Sequence, residues 1–415
     1  MLATQFNYPG PQWFAEALGA SYVQSWIKAS RQPYWRRPAT LAVLASSARR
    51  DADDEVRAFQ LCQEMALFSR QHGQAAGVAD VYWDPGVTSL TEPALRTVRA
   101  AIADYFDVEA GAGFTAHVVL PSGQPMLLPL LRKLGVTTLR ASIAPHGRSL
   151  CTSIDVFFDQ ARELGFRTIA VDLPIAVPNI STRTVRELAA ALSSWRPSRL
   201  LLSRAHGEPS RGRRGATPGD WACVRRAWQE VYAAMIGAGY EYIAHDAFAL
   251  PSDEFIDAKR IGALVPRTYG YSAHASYASI AIGPGAIGNV GPMQYQNCRT
   301  PESYAASVQQ GLLPIERGLL STPDDLIRRS VMTGLLTAFS VDIETIEECY
   351  GIDFDTAFEP ELALIAPLER EGLVERGTTS LSLTPIGRFA CDRVVDIFDR
   401  RSRRLEQVRP ERGGL

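Results

Sequence analysis

The sequence predicts an α/β protein, a partial (β/α) barrel of the TIM type, with an N-terminal arm and a mainly helical, winged-helix-like C-terminal domain. Three observations predict it. Short apolar runs alternate with amphipathic segments through the first 250 residues. Gly135, Gly165 and Gly239 each stand between the end of a helical pattern and the start of an apolar run, where a C-cap glycine belongs. After about residue 250 the alternation gives way to a segment rich in Gly, Ser and Tyr, then to a helical one.

Taken in order, residues 1–37 form an arm, and the barrel spans 38–250. Its strands are expected at Leu41 to Leu44, Val78 to Trp83, Thr115 to Leu120, Thr138 to Ile143, Thr168 to Leu173, Arg199 to Ser203 and Tyr240 to His245. The first run, Leu41 to Ala45, is short and continuously apolar, which suits a strand covered on both faces. Helical patterns at Ala94 to Tyr105, Met126 to Leu134, Ile154 to Leu164, Val185 to Trp195 and Asp220 to Ala238 supply the crossovers. Residues 251–310 read as a small β-rich extension over the barrel edge. Within it "GPGAIGNVG", residues 283–291, lacks the strand-loop-helix setting and the Lys-Ser/Thr ending of a phosphate loop, and reads as tight turns. Residues 311–400 read as a C-terminal helical domain, in which "TPDDLIRRSVMTGLL" opens on a Thr cap, a first-turn Pro and two acids. Its helix, hairpin, helix ending has a winged-helix look, and 401–415 is a basic tail.

Composition bounds the function. A hydrophobic fraction of 46% with 21% charged residues is ordinary globular usage. The net charge of −2 argues against nucleic acid as partner, and no run is apolar enough to span a membrane. The N-terminus shows no secretory signal, so a cytoplasmic protein with a small-molecule ligand is expected. The six cysteines are separated by dozens of residues and the six histidines are equally dispersed, so no metal site is expected from local spacing.

Several stretches together resemble a known family. "NYPGP", "ARELGF", "GYEYIAHDAFALPSDE", "IERGLLSTPDDLIRRSV", "ELALIAPLEREGLVE" and "LTPIGR" are similar, in that order, to the oxygen-independent coproporphyrinogen III oxidases of the radical SAM superfamily. The resemblance implies a radical SAM-type partial barrel, with Tyr8 held over its mouth against substrate. It also implies three cluster-binding cysteines in CxxxCxxC spacing after the first strand. In this chain those positions fall at Ala48, Ala52 and Glu55, within "SSARRDADDE", and none of them ligates iron as a thiolate does. The family's Gly-rich turn after the second strand is represented by Asp84, Pro85 and Gly86, of which only Gly86 agrees. Asp172 matches a family aspartate that faces the cofactor, and Asp246 matches another family position.

The expected function is therefore an enzyme without an iron-sulfur cluster that uses S-adenosylmethionine in polar chemistry, such as methyl or aminocarboxypropyl transfer or cyclisation. The alternative is a binding module without turnover, for a tetrapyrrole such as haem or a protein partner. Asp172, Asp246 and Asp84, at expected strand ends, are the candidate catalytic carboxylates. Trp83, Gly86 and Asp172 are the candidate cofactor contacts, and Tyr8, Tyr271 and His245 the candidate substrate contacts. His245 and Asp246, as neighbours on one strand, are expected to point to opposite faces.

Overall fold

A computed structural model describes residues 6–29, 38–45, 53–72, 76–120, 126–143, 150–174, 182–203, 218–274, 276 and 278–403. Ala48 and Ala52 lie outside them. After helix α1 (Ala20–Ala29) the chain alternates strand and helix: β1 (Ala39–Val43), α2 (Asp54–His72), β2 (Ala76–Trp83), α3 (Pro85–Thr88), α4 (Glu92–Tyr105), β3 (Phe106–Leu120) and α5 (Leu127–Lys133). The alternation continues through β4 (Thr138–Ile143), α6 (Leu150–Glu163), β5 (Thr168–Pro174), α7 (Thr182–Trp195), β6 (Arg199–Ser203) and α8 (Pro218–Gly237). Then come β7 (Glu241–Ala244), β8 (Ala247–Ala249), α9 (Glu254–Arg260), β9 (Val265–Arg267), β10 (Gly270–Ser272), β11 (Ala278–Ile282), β12 (Ile287–Val290), β13 (Met293–Asn297), α10 (Pro301–Gln309) and β14 (Ile315–Leu320). The C-terminal part holds α11 (Pro323–Thr337), β15 (Ser340–Asp342), α12 (Ile343–Tyr350), α13 (Phe354–Ala357), α14 (Glu359–Arg370), β16 (Val374–Arg376), β17 (Ser380–Leu383) and α15 (Cys391–Phe398).

Strands β1 to β6 lie side by side and parallel, and β11 pairs parallel with the free side of β1. The whole sheet has twelve strands in the order β14-β13-β12-β11-β1-β2-β3-β4-β5-β6-β8-β7 and stays open, with β14 and β7 at its edges. It is nonetheless curled. In a flat sheet β1 and β6 would stand about 24 Å apart, at ~4.8 Å per strand. Here Thr40 of β1 and Leu201 of β6 line one cavity of about 100 Å³. Gly135, Gly165 and Gly239 take the positive φ values 90°, 74° and 84° that their expected helix-ending role requires.

Two expectations are corrected. The seventh apolar run does not join the barrel as a parallel strand: β8 pairs antiparallel with β6, and β7 pairs antiparallel with β8. The reason is the two-residue turn at His245 and Asp246, which folds the chain back before it can cross over. Strand β3 also begins nine residues earlier than its apolar run, because Phe106 to Val108 pair with Ala76 to Val78 ahead of a break in register.

Helix α11 is started by local side chains: Thr322 and Asp325 form a reciprocal capping box and Pro323 occupies the first turn. Antiparallel strands β15, β17 and β16, packed with α12, α14 and α15, give the C-terminal unit its winged-helix look. The backbone N–H of His245 donates to the carbonyl of Leu336 at 2.9 Å, tying the β7–β8 turn to α11.

Candidate active site

Side chains on a strand alternate between faces, and the phase of β2 to β5 decides the site. Leu139, Ala141, Ile169 and Val171 go to the core beneath the helices, which leaves Tyr82, His117, Arg140, Ser142 and Asp172 for the inside of the curl. The register places Arg140 beside His117 and Asp172 beside Ser142. A hydrogen-bonded chain results. Tyr82 Oη lies 2.8 Å from His117 Nδ1, and His117 Nε2 lies 2.6 Å from Ser142 Oγ. Ser142 Oγ in turn donates to Asp172 Oδ2 at 3.3 Å.

The far end of that chain is a buried ion pair. Arg140 Nε donates to both Asp172 oxygens at 2.9 Å, with both side chains only 4% exposed. Arg140 Nη1 donates to the Tyr269 carbonyl at 2.7 Å, and the Tyr269 ring stacks on Tyr82 at 5.5 Å. Burial raises the Asp172 carboxyl above its ordinary value, opposed by Arg140; burial lowers the pKa of Arg140 itself, but the charges and hydrogen bonds around it, Asp172 foremost, raise it overall. Burial, helped by the Arg140 charge, holds His117 well below the usual imidazole range, so its ring is neutral at pH 7.

With a neutral ring the protons fall into one consistent order. Asp172 takes the Ser142 proton as acceptor, Ser142 Oγ accepts from Nε2–H, and Nδ1 accepts from Tyr82 O–H. This tautomer is assigned from the network. Reversing every bond in the chain carries a proton from Tyr82 to Asp172 with no movement of heavy atoms. Ser142 is partly exposed while His117 and Asp172 are buried, so the hydroxyl is the accessible member.

A second cluster adjoins it. Tyr271 Oη donates to Asp246 Oδ1 at 2.6 Å, and His245 Nδ1 stands 3.3 Å from Tyr271 Oη and 3.4 Å from Asp246 Oδ1. The expectation that His245 and Asp246 face apart is corrected, because they occupy a turn and both reach Tyr271. The negative charge of Asp246 raises the pKa of both Arg140 and Asp172, so the two clusters share one electrostatic environment. Asp172, Asp246, Tyr271 and His245 are thus brought together.

The other four candidates are placed elsewhere. Trp83 is fully buried in the opposite phase of β2, edge-on to Phe114 at 4.8 Å, whose ring also carries Arg99 of α4 at 5.8 Å. It packs beneath the helices, where a ring cannot stack on a ligand in the mouth. Asp84 caps α3: its Oδ1 accepts from the amides of Val87 at 2.8 Å and Ala45 at 3.0 Å, joining the ends of β1 and β2. Its burial lifts the carboxyl pKa to about 6 against those two amides. Gly86 is pressed on the chain's own backbone, since a Cβ there would stand 1.3 Å from the Ala45 carbonyl oxygen. Tyr8 is 3% exposed, and its carbonyl accepts from Arg329 Nε at 2.7 Å and from Gln294 at 3.4 Å, which anchors the arm to α11 and β13.

Sequence reasoning overlooked Tyr82, His117, Arg140 and Ser142. The available signal was polar residues inside strands expected to be apolar: His117 in "AHVVL", and Arg140 and Ser142 at alternate positions of "LRASI".

A four-iron cluster needs three thiolates on one loop, and "SSARRDADDE" supplies none; Glu55, the one aligned position that is described, lies exposed in the first turn of α2. For S-adenosylmethionine, Trp83 and Gly86 pack on the protein itself and both Asp172 oxygens already accept hydrogen bonds. These three residues do not fit that cofactor.

Comparison with known proteins places the architecture. Residues 321–390 match the HemN C-terminal domain. The oxygen-independent coproporphyrinogen III oxidase of Escherichia coli is 24% identical over 98% of this chain and 96% of its own length. That of Pseudomonas aeruginosa is 26% identical over 82% and 78%, respectively. The solved structure of Escherichia coli HemN, described as a radical SAM enzyme, superimposes with a TM-score of 0.82 at 24% identity, covering 95% of this chain and 96% of that one. Over nearly its full length the chain is thus similar to the oxygen-independent coproporphyrinogen III oxidases, it carries a match to the HemN C-terminal domain, and it shares the fold of HemN.

Proposed function

We propose that this HemN-like chain is a cluster-free enzyme that performs polar acid–base chemistry on a small molecule, with the Ser142 hydroxyl as the accessible group and His117 and Asp172 as its proton partners. The observation that carries the reading is the continuous chain Tyr82–His117–Ser142–Asp172 inside the curl of a sheet whose first loop has no thiol. A neutral imidazole bonded at both nitrogens passes protons in either direction, and a buried carboxylate at one end fixes which direction is downhill at rest.

Each residue has a stated part. Ser142 meets the substrate's exchangeable proton. Asp172 receives a proton from Ser142, and Arg140 holds Asp172 in place and stabilises its charge. Tyr82 orients the His117 ring, and its stack on Tyr269 fixes Tyr82 in turn. S-adenosylmethionine, when bound as an electrophile, would offer a carbon open to nucleophiles without any iron. Of the residues matched to it, Trp83 and Gly86 are committed to packing and Asp172 to Arg140 and Ser142.

The test has two arms. Protein purified and reconstituted anaerobically is expected to hold no stoichiometric iron or acid-labile sulfide and to release no 5′-deoxyadenosine with S-adenosylmethionine and dithionite; a positive result for either defeats the cluster-free reading. The second arm is nitrogen-15 NMR of the His117 ring. It is expected to report a neutral Nε2–H tautomer at pH 7 that shifts in Tyr82→Phe and in Ser142→Ala, and a charged ring would defeat the relay. Calorimetry with S-adenosylmethionine and with haem separates an enzyme from a binding module: tight haem binding alone favours the latter.

A further inference from the structure

The curl has a second opening, at the amino ends of the strands and away from Ser142. Thr40, Thr138 and Arg199, at or next to the first residues of β1, β4 and β6, line the cavity of about 100 Å³ there. Arg140 and the stacked pair Tyr82–Tyr269 line it too and stand between it and the Ser142 mouth. Its volume equals that of about three waters in the liquid, enough for a ligand of a few heavy atoms.

Two opposed charges in its wall are incompletely used. Arg267 Nε is buried and has no hydrogen-bond partner among the described residues, while Nη2 donates to the His274 carbonyl at 3.0 Å. A buried guanidinium nitrogen left unpaired costs free energy unless something accepts from it. Across the cavity, Asp80 Oδ2 accepts from Ser272 at 2.6 Å, while Oδ1 has only the His274 ring, Nε2 at 4.0 Å, as a basic group within 4 Å among the described residues. Gly113 keeps the space in front of that oxygen clear, because a Cβ there would lie 2.8 Å from Oδ1. The other strong charges in the wall are satisfied: Arg199 Nε donates to both oxygens of Asp253 at 2.8 Å, and its Nη2 pairs with Glu254 at 2.7 Å. Arg167, exposed at the rim, adds a second positive charge that acts on Glu254.

We propose that this cavity is a binding site for a small zwitterion of the amino-acid class, its carboxylate on Arg267 and its ammonium on Asp80. A cavity whose charges balance has little field to draw in a simple anion. A ligand carrying both signs meets each free group with its complement, and the guanidinium fork suits a planar carboxylate. The site does not use Ser142, although Tyr82 and Arg140 of the relay form part of its wall.

The experiment is calorimetric titration of the full chain with glycine and alanine, alongside acetate and methylammonium as the two halves. Saturable binding of an amino acid, with neither half binding comparably, is expected. Arg267→Gln and Asp80→Asn should each weaken it about tenfold or more, the loss of one charge-assisted hydrogen bond, while Ser142→Ala leaves it unchanged. Should Arg267→Gln fail to fold, Asp80→Asn and Arg267→Lys carry the same comparison. No saturable binding of either amino acid, acetate binding alone, or binding indifferent to both substitutions overturns the proposal, the cavity then holding water.

Discussion

Replacing Asp172 by Asn keeps the shape of the side chain and removes its charge, leaving Arg140 as a buried cation. Two unit charges about 4 Å apart attract by about 4 kcal/mol at an effective dielectric of 20. Removing one partner of such a pair costs about 3–5 kcal/mol, because the survivor keeps its desolvation penalty without its attraction. Both side chains here are 4% exposed, so solvent screening offers little relief. Asp172→Asn is therefore expected to lower unfolding free energy by about 3–5 kcal/mol, measured by urea unfolding with tryptophan fluorescence. Arg140→Met should cost a similar amount and also frees the Tyr269 carbonyl. The double variant Arg140→Met/Asp172→Leu should recover most of the loss, giving a coupling of about 3 kcal/mol or more. The reasoning is refuted if Asp172→Asn costs under about 1 kcal/mol, or if the double variant is as unstable as the sum of the singles.

Two further outcomes follow from buried groups near the ends of the strands. Glu64 is fully enclosed, accepts from Gly283 N–H, Asn297 Nδ2 and Tyr304 Oη, and burial lifts its pKa to about 7 from 4.5 despite those donors. The folded state then holds a proton between pH 4.5 and 7 that the unfolded state has released, so stability falls as pH rises through that window. The fall is about 3 kcal/mol, at 1.36 kcal/mol per unit, and Glu64→Gln should flatten the slope of unfolding free energy against pH; an unchanged slope counts against it. Gly86→Ala drives a Cβ into the Ala45 carbonyl at 1.3 Å, backbone against backbone, and should cost about 3 kcal/mol or leave the protein insoluble. A soluble Gly86→Ala protein with unchanged thermal unfolding would show that the β1 and β2 ends are not pressed together.

The layered fold could be read from the chain because each β/α unit carries its own local evidence: an apolar run, an amphipathic run and a glycine where φ turns positive. Strands β4 and β6 begin and end where their apolar runs do. What periodicity cannot supply is the phase of a strand. Trp83 and Asp84 look equally suited to a strand end, and only the three-dimensional structure sends the first beneath α4 and makes the second a cap. The β7–β8 turn escaped for a different reason, since "AHDAFA" contains no Gly, Pro or Asn to announce a reversal. Once it is a turn, the face-alternation rule no longer separates His245 from Asp246. The site residues overlooked were those whose meaning is relational. His117 is one histidine among apolar neighbours until Ser142 and Tyr82 stand on either side of its ring.

That relational character also bears on which ligand the mouth accepts. A lone buried carboxylate in the curl would invite a cation, and a sulfonium would suit it well. Arg140 changes the case, because its guanidinium already occupies both oxygens of Asp172 and is itself held by the Tyr269 carbonyl. The Arg140–Asp172 pair is electrically complete before any ligand arrives, and a second cation brought beside Arg140 meets repulsion that Asp172 no longer offsets. A neutral or anionic substrate meeting Ser142 encounters the reverse: an accessible hydroxyl, a neutral imidazole behind it and a guanidinium within the same network. The ion pair thus shifts the preference around Ser142 from the positive charge of a sulfonium toward groups that exchange a proton, against the opposing pull of the Asp246 carboxylate in the adjoining cluster.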